Sequence, residues 1–123
     1  MTFFELIKLL SAPMNIDLDN ETWLIELGDG VIEKKAKFGI NTLTDYEKSV
    51  YCLWAIDYSI RNSGTLDALE DIYPEAVSEL EYLSSENNWL SKFSIKEISS
   101  SEDAYYKNFE EICNELRSVQ AST

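Results

Sequence analysis

Residues 44–64, TDYEKSVYCLWAIDYSIRNSG, are the stretch that decides the fold. Thr44 and Glu47 have the spacing of a capping box, in which each side chain accepts a hydrogen bond from a free backbone N–H group at a helix start. Behind this box, apolar residues recur at helical spacing and cover most sides of the helix: Val50, Tyr51, Leu53, Trp54, Ala55, Tyr58 and Ile60. Gly64 suits the left-handed conformation that often closes a helix. The segment therefore predicts a central helix from Thr44 to about Asn62.

The N-terminal residues predict a short helix of their own. Thr2 and Glu5 repeat the capping-box spacing, and apolar residues follow them at helical spacing. We expect this helix to run from Thr2 to about Ser11, because Pro13 cannot be accommodated inside a continuing helix.

Residues 14–38 are compatible with two structures. A helix capped by Asp19 or Asn20 would be broken by Gly28-Asp29-Gly30 and would resume after it. The same residues would also fit a hairpin, with the glycines in the turn between two strands. We favour the helix, because the lysine-rich run 33–37 is poor strand material.

The C-terminal half predicts three more helices. A short one is marked by three apolar residues, Leu66, Leu69 and Ile72. Pro74 fits the first position of the next helix, which we expect to close near Asn87. Residues 89–98 predict an irregular segment that packs along the body. The last helix follows Ser99-Ser100-Ser101, and its apolar face consists of Tyr105, Phe109, Ile112, Cys113 and Leu116.

These elements together predict an all-α fold. The chain of 123 residues is long enough for one hydrophobic core, and it contains no internal repeat or long linker. We expect a single compact helical domain over residues 1–123, with five to six helices and at most a small hairpin near Gly28–Gly30.

The formal charge of −13, from 23 acidic and 10 basic residues, limits the classes of molecule that the protein can bind. Such a surface repels phosphates, so we expect no direct binding of nucleic acid and no binding to an anionic membrane. It favours basic proteins instead. The chain shows no secretory signal and no apolar stretch of the ~20 residues that a membrane span needs, so we expect a cytoplasmic protein.

The sequence also argues against an enzyme. It has no His, which removes the usual general base and the usual zinc ligand. Its two Cys fall in helical apolar patterns and are expected to be buried free thiols. The run Asp17-x-Asp19-x-Glu21 alternates like part of a calcium loop but lacks the glycine and the closing acid. We therefore expect no catalytic residue, no cofactor and no metal.

Two other charged groups have structural interpretations. Asp57, in the middle of the predicted central helix, is expected to be a buried carboxylate paired with Arg61 one turn later. A catalytic carboxylate would need a second acid across a cleft, and no pattern indicates one. The basic patch of Lys34, Lys35 and Lys37 is expected to pair with acids of the same protein.

The strongest functional signal is the acidic window, residues 62–91. It contains seven acidic residues and no Lys or Arg. Four of the acids recur every fourth residue: Asp67, Asp71, Glu75 and Glu79. On a single helix they would form one ridge of like charge, and a helix break at Pro74 would divide that ridge between two helices. Like charges at this spacing destabilise a helix by a few tenths of a kcal/mol per pair, so a sequence shaped only for stability would intersperse lysines. The window therefore indicates a surface for a basic partner.

Aromatic residues within the window would supply the apolar part of such an interface, where Tyr and Trp often contribute most of the binding energy. The predicted partner-binding residues are Asp67, Glu70, Asp71, Tyr73, Glu75, Glu79, Glu86 and Trp89.

Residues 43–64 resemble the central helix of a family of small helical bacterial proteins named for DNA mimicry. The Leu-Thr start, the aromatic-rich helix and the Asn-Ser-Gly exit carry the resemblance, which covers about a fifth of the chain. The sequence departs from the family at Ser59, where an acid is usual, at Arg61, which replaces an Asn, and at Ser63, which replaces a Gly.

In size, acidity and lack of catalytic residues, the whole chain is similar to immunity proteins of bacterial toxin–immunity pairs, including those of contact-dependent growth inhibition. That resemblance implies a cytoplasmic protein that neutralises a basic cognate protein, most often a nuclease-type toxin domain. The DNA-mimic resemblance implies a regulator that sequesters a DNA-binding protein. The first function is our expectation, the second is the alternative, and an enzyme is third.

Overall fold

The computed structural model describes residues 18–122, which form six α-helices and one turn of 3₁₀ helix at Ile40–Thr42. The helices are α1 Asn20–Phe38, α2 Asp45–Ser63, α3 Leu69–Ile72, α4 Ala76–Asn87, α5 Ile95–Ile98 and α6 Glu102–Ser122. No strand occurs within this range, so the all-α prediction is confirmed. The helix predicted for residues 2–11 lies outside the described residues.

Helix α1 is continuous, so both the predicted break and the alternative hairpin at Gly28–Gly30 are wrong. It begins where expected, because the Asp19 carboxylate accepts a hydrogen bond of 2.7 Å from the Thr22 backbone N–H. The glycines lie in the middle of the helix, and Gly28 is buried. A glycine in a helix usually lowers its stability, so its presence here needs a packing reason.

The reason is the close approach of α2. A Cβ atom at Gly28 would lie 2.6 Å from Cδ1 of Trp54, which is closer than real Cβ contacts. Only glycine lets the two helix backbones approach with the indole ring between them. Gly28 therefore serves a helix–helix contact and does not form a turn. The neighbouring sequence alone cannot distinguish these two roles.

Helix α2 is the centre of the fold, as predicted. Its capping box is complete: Thr44 Oγ1 accepts from the Glu47 backbone N–H, and the Glu47 carboxylate accepts from the Thr44 backbone N–H at 2.8 Å. Gly64 closes it in the left-handed conformation, with φ of 75°. It packs against α1, α3, α4 and α6. Most of its side chains are buried, Cys52 among them.

Helices α3 and α4 form in the places the apolar spacing predicted. Pro74 is not the first residue of α4, which begins two residues later at Ala76 with Glu75 as its N-cap. The proline instead lies in the turn between the two helices. Helix α4 ends at Asn87, and Asn88 adopts the left-handed conformation with φ of 57°.

Residues 89–98 are only partly irregular, because Ile95–Ile98 form the short helix α5, which begins at the cap residue Ser94. Helix α6 then runs back along the body. Its predicted apolar face is confirmed, since five residues are buried in the core: Tyr105, Phe109, Ile112, Cys113 and Leu116.

A polar contact fixes the start of α1 on α6. The Asn20 amide donates to Glu110 Oε2 at 2.7 Å and to Asn114 Oδ1 at 3.0 Å. Arg117, which is buried, donates from Nη1 to Asn20 Oδ1 at 2.9 Å. Glu110 is exposed, but its hydrogen bond with Asn20 gives it a structural role.

Candidate binding surface

The carboxylates of the acidic window are distributed over two helices and the turns before them. Asp67 lies in the turn after α2, Glu70 and Asp71 lie in α3, and Glu75 caps α4. All four of these side chains are exposed. The predicted ridge is therefore split at Pro74, and its acids reach solvent in both parts.

Helix α4 carries a second pattern that joins acids to an aromatic ring. Glu75, Glu79, Tyr82 and Glu86 are spaced so that they lie along one stripe of the helix. Tyr82 is 63% exposed, more than any other large hydrophobic residue of the described range. An exposed tyrosine between carboxylates is the composition expected of a protein interface, because tyrosine combines apolar area with a polar tip.

The ion pairs of the described residues all involve acids outside the window. Lys34 binds Glu47 at 3.0 Å and Lys37 binds Glu33 at 2.8 Å, as predicted, whereas Lys35 lies over the ring of Tyr51. The remaining ion pairs between described residues are Arg61–Glu21, Arg61–Asp57 and Lys92–Glu111. No ion pair within residues 18–122 includes an acid of the window. Apart from Glu79, which accepts a hydrogen bond from Tyr73, the carboxylates of the window are exposed to solvent.

Tyr73, a predicted interface residue, is held by the protein itself. Its ring packs on Tyr51 of α2, with centroids 5.2 Å apart, and the side chain is half-buried. Burial raises the pKa of the Tyr73 phenol, and its hydrogen bond to the Glu79 carboxylate raises that pKa further. Tyr73 therefore connects α4 to α2 and holds Glu79, and Tyr82 is the freer aromatic residue.

Trp89, the other predicted aromatic, borders a cavity of about 270 Å³ at the end of α4. Its ring meets Tyr46 edge-on at 6.0 Å. Polar lining comes from Glu81, Ser84 and Ser85, and apolar lining comes from Phe93 and its neighbours. Sequence reasoning missed Ser84, because a serine near a helix end is typical of a solvated position.

Two residues that line this cavity each have a buried polar atom without a hydrogen-bond partner in the described part of the chain: Ser84 Oγ and Trp89 Nε1. Ser84 is only 7% exposed. A buried donor without a partner costs about 1–3 kcal/mol, and most proteins contain few of them. Both atoms are themselves closed to solvent, although their residues line the cavity.

The backbone around Trp89 is also unusual. Asn88 and Leu90 on either side of it have positive φ, of 57° and 55°. Asparagine tolerates this conformation, but leucine does so rarely. Leu90 is held there because its side chain is buried and its backbone N–H donates to the carboxylate of Glu115. The fold thus fixes the orientation of Trp89 at the expense of backbone strain, which often occurs at ligand sites.

Asp57 forms the main buried polar cluster elsewhere in the molecule. As predicted, it pairs with Arg61, whose Nε lies 2.9 Å from Asp57 Oδ2. It also accepts from the Tyr105 hydroxyl at 2.5 Å, which the sequence did not predict. Burial raises the pKa of the Asp57 carboxyl, and these hydrogen bonds act in the opposite direction. Because every partner is another core or packing residue, the cluster connects α2 to α6 and offers no site for a substrate.

The thiols and carboxylates form no other centre in the described range. Cys52 and Cys113 are free and buried, as predicted, and burial raises the pKa of both thiols. Across residues 18–122, no group of three or more potential ligand residues could hold a metal ion. Asp17, part of the calcium-like run, lies outside this range. None of the described helices has both the length and the apolar character needed to cross a membrane.

Comparisons of the chain with protein-family models, with curated proteins and with solved structures find no match. Function is therefore inferred from the charges, contacts and burial of the chain itself.

Proposed function

We propose that the protein binds and neutralises a basic protein through its acidic window, as an immunity protein does with its toxin. The partner we infer is a nuclease-type toxin domain, since a nuclease presents a basic surface to the phosphates of its substrate. Acidic side chains that occupy that surface would exclude nucleic acid. The chain would act without catalysis, cofactor or metal, and in the cytoplasm, where such a toxin finds its target.

The observation that supports this proposal is the separation of charges. Within residues 18–122, Lys34, Lys37, Arg61 and Lys92 form ion pairs with acids outside the window, and no acid of the window takes part in an ion pair. Carboxylates form short, charge-assisted hydrogen bonds with Arg and Lys, so an exposed group of them favours a basic surface. The exposed Tyr82 among these acids supplies apolar contact area.

The test uses the most basic protein encoded by the genes adjoining this one. We expect it to cleave nucleic acid, and we expect an equimolar amount of the present protein to abolish that cleavage. Binding should weaken as salt rises, because ions screen the charges that attract the two surfaces. If the neighbour instead binds DNA without cutting it, and is displaced from DNA, the DNA-mimic alternative replaces the toxin. Absence of binding at low salt would contradict both.

A further inference from the structure

Two contacts show how α1 lies beside α2. Glu21 Oε2 is 3.8 Å from Arg61 Nη1, and Gly28 lies so close to Trp54 that an added Cβ atom would meet the indole ring. Along the chain Glu21 comes before Gly28, whereas Arg61 comes after Trp54. The two helices are therefore antiparallel, and residues that lie between these contacts on the same helix faces are neighbours across the groove.

Ile25 of α1 and Tyr58 of α2 occupy these positions. Each is about one helical turn from both contact residues of its own helix, so each lies on the face that borders the groove. Ile25 is 43% exposed and Tyr58 is 47% exposed. Two of the large hydrophobic side chains that the described part of the chain exposes are therefore adjacent, and adjacent exposed apolar side chains are candidates for a protein contact.

A row of aromatic rings connects this surface to the acidic window. Tyr58 stacks on Trp54 with ring centroids 5.5 Å apart, and Trp54 stacks on Tyr51 at 6.2 Å. Tyr51 in turn packs on Tyr73, which belongs to the window. A standard interface covers about 800 Å² of each partner, so one partner domain can cover the window and the Tyr58 end of the row together.

The Tyr58 ring differs from other rings of the molecule because no cation of the protein covers it. Lys35 lies 5.3 Å from the ring centroid of Tyr51, and Arg61 lies 5.1 Å from that of Tyr106. Within residues 18–122 no Lys or Arg lies over Tyr58, although its ring is the most exposed of the row. The face of an aromatic ring attracts a cation, so Tyr58 can receive one from a partner.

The charges at this end of the groove favour a guanidinium group. Arg61, one turn after Tyr58, is bound by both oxygens of Asp57, so its charge is already balanced. The Glu21 side chain is exposed and reaches Arg61 only at 3.8 Å, so its carboxylate can also bind a second cation. Arginine stacks on aromatic rings while its N–H groups bond to a carboxylate, which the smaller ammonium group of lysine does less well.

We propose that Tyr58 docks an arginine of the basic partner, with the guanidinium stacked on the ring, the methylene stem along Ile25 and the Glu21 carboxylate beside it. This inference rests on the proposed function and adds a short-range contact to it. The acidic window attracts the partner over a distance and raises the rate of association. The stacked arginine forms only on contact and lowers the rate of dissociation.

The first test measures how fast the protein dissociates from the basic protein encoded beside this gene, by surface plasmon resonance. Tyr58→Leu keeps an apolar side chain but removes the aromatic face, and Tyr58→Phe keeps that face. We expect Tyr58→Leu to dissociate about fivefold faster with an association rate within about twofold of wild type. Tyr58→Phe should stay within about twofold in both rates. Wild-type dissociation in Tyr58→Leu would overturn the inference.

Tyr106 provides a matched control, because it is an exposed tyrosine whose ring already lies under Arg61. Tyr106→Leu should leave both rates within about twofold of wild type. Circular dichroism checks that each variant is folded. Equal acceleration of dissociation in Tyr106→Leu and Tyr58→Leu would overturn the inference, since it would assign no special part to the uncovered ring.

The second test does not need the partner and uses NMR of the protein with ¹³C-labelled tyrosine rings. The chain has seven Tyr, and the ring signals lost in Tyr58→Phe identify Tyr58. The probe is a blocked nine-residue peptide of alternating arginine and glycine. In the control peptide citrulline replaces every arginine, which keeps the shape and removes the charge. We expect the arginine peptide to shift the Tyr58 signals saturably, and the citrulline peptide to bind at least about tenfold more weakly.

The outcomes separate this inference from the proposed function. If the arginine peptide shifts backbone amides of the acidic window and not the Tyr58 ring, the inference is overturned and the proposed function stands. Equal binding of the citrulline peptide would also overturn it, because charge would then play no part. If the neighbouring protein does not bind at low salt, the proposed function fails, and the peptide titration alone decides whether Tyr58 is an arginine site. A dimer in sedimentation velocity that Tyr58→Leu dissociates would show that a second copy occupies this surface, and would overturn the inference.

Discussion

At the scale of one residue, Asp57 shows how hydrogen bonds stabilise a buried carboxylate. It is 5% exposed, and its carboxylate accepts from Arg61 and from the Tyr105 hydroxyl. Arg61 remains partly exposed and stacks over Phe109 at 4.8 Å from the ring centroid. The cluster therefore couples α2 to α6 through both hydrogen bonds and ring packing.

Asp57→Ala and Tyr105→Phe should lower the free energy of unfolding by different amounts. Asp57→Ala would leave the buried Tyr105 hydroxyl without its acceptor, so we expect a loss of about 2–4 kcal/mol in the free energy of unfolding. Tyr105→Phe removes one hydrogen bond and should cost about 1 kcal/mol. Urea unfolding of both single variants and the double variant measures the coupling. Costs that simply add would contradict a direct bond between the two side chains.

The Asp57 carboxyl also makes the free energy of unfolding depend on pH, in a direction that its pKa shift determines. Burial raises its pKa above the ordinary value of 3.8, so the folded protein holds this proton more tightly than the unfolded chain. The stability it contributes is fully present below the unfolded pKa and is lost as pH rises through the folded pKa. We therefore expect the stability difference between wild type and Asp57→Asn to shift against wild type as pH rises from about 4 towards 7. Urea unfolding of both proteins across this range measures the difference, and an opposite slope would contradict the assignment.

At the scale of helices, the crossing of α1 over α2 depends on Gly28. Gly28→Ala would add helix propensity worth about 0.5–1 kcal/mol but would press a methyl group into the base of the Trp54 ring. Overpacking of this kind costs about 1–3 kcal/mol, so we expect a net loss of stability. Thermal unfolding measures it.

Making Gly28→Ala in a Trp54→Ala protein tests whether the indole ring causes the loss of stability. In Trp54→Ala the obstructing ring is absent, and Gly28→Ala should become neutral or stabilising there. If it destabilises both backgrounds equally, the helix backbone rather than the indole ring is the reason for the glycine.

The helix boundaries were predictable where local chemistry decides them. The Thr44–Glu47 capping box, the Asp19 cap and the left-handed Gly64 are properties of a few neighbouring residues, and all three are confirmed. The helix break predicted at Gly28 is wrong because the role of this glycine depends on Trp54, which lies on another helix. The acids of the window can be read from composition and stay a prediction as binding residues, whereas the burial of Ser84 depends on the tertiary fold.

At the scale of the whole described chain, residues 18–122, charge is divided, because the ion pairs involve acids outside the window and the acids of the window form none. Reversing Asp67 and Asp71 to Lys tests whether this division matters for stability. Both side chains are exposed, so the free energy of unfolding should change by no more than about 0.5 kcal/mol, or rise slightly as repulsion is removed. Circular dichroism and urea unfolding check this expectation, and a loss of several kcal/mol would show that these acids stabilise the fold.

A matched control is available on α1. Glu26 and Asp29 are exposed and lie outside the window, and their reversal to Lys changes the formal charge of −13 by the same amount. Glu110 would be a poor control, because it accepts the hydrogen bond from Asn20 that joins α1 to α6. The two double variants therefore differ in the place of the charge and not in its total.

The most direct test of the central claim is the rate at which these variants associate with the basic protein encoded beside this gene, measured by stopped-flow fluorescence at low salt. We predict that Asp67→Lys with Asp71→Lys slows association about tenfold, while Glu26→Lys with Asp29→Lys stays within about twofold of wild type. Equal slowing in the two variants would show that only total charge matters. Slowing in the α1 variant alone would place the binding surface away from the acidic window and contradict the account.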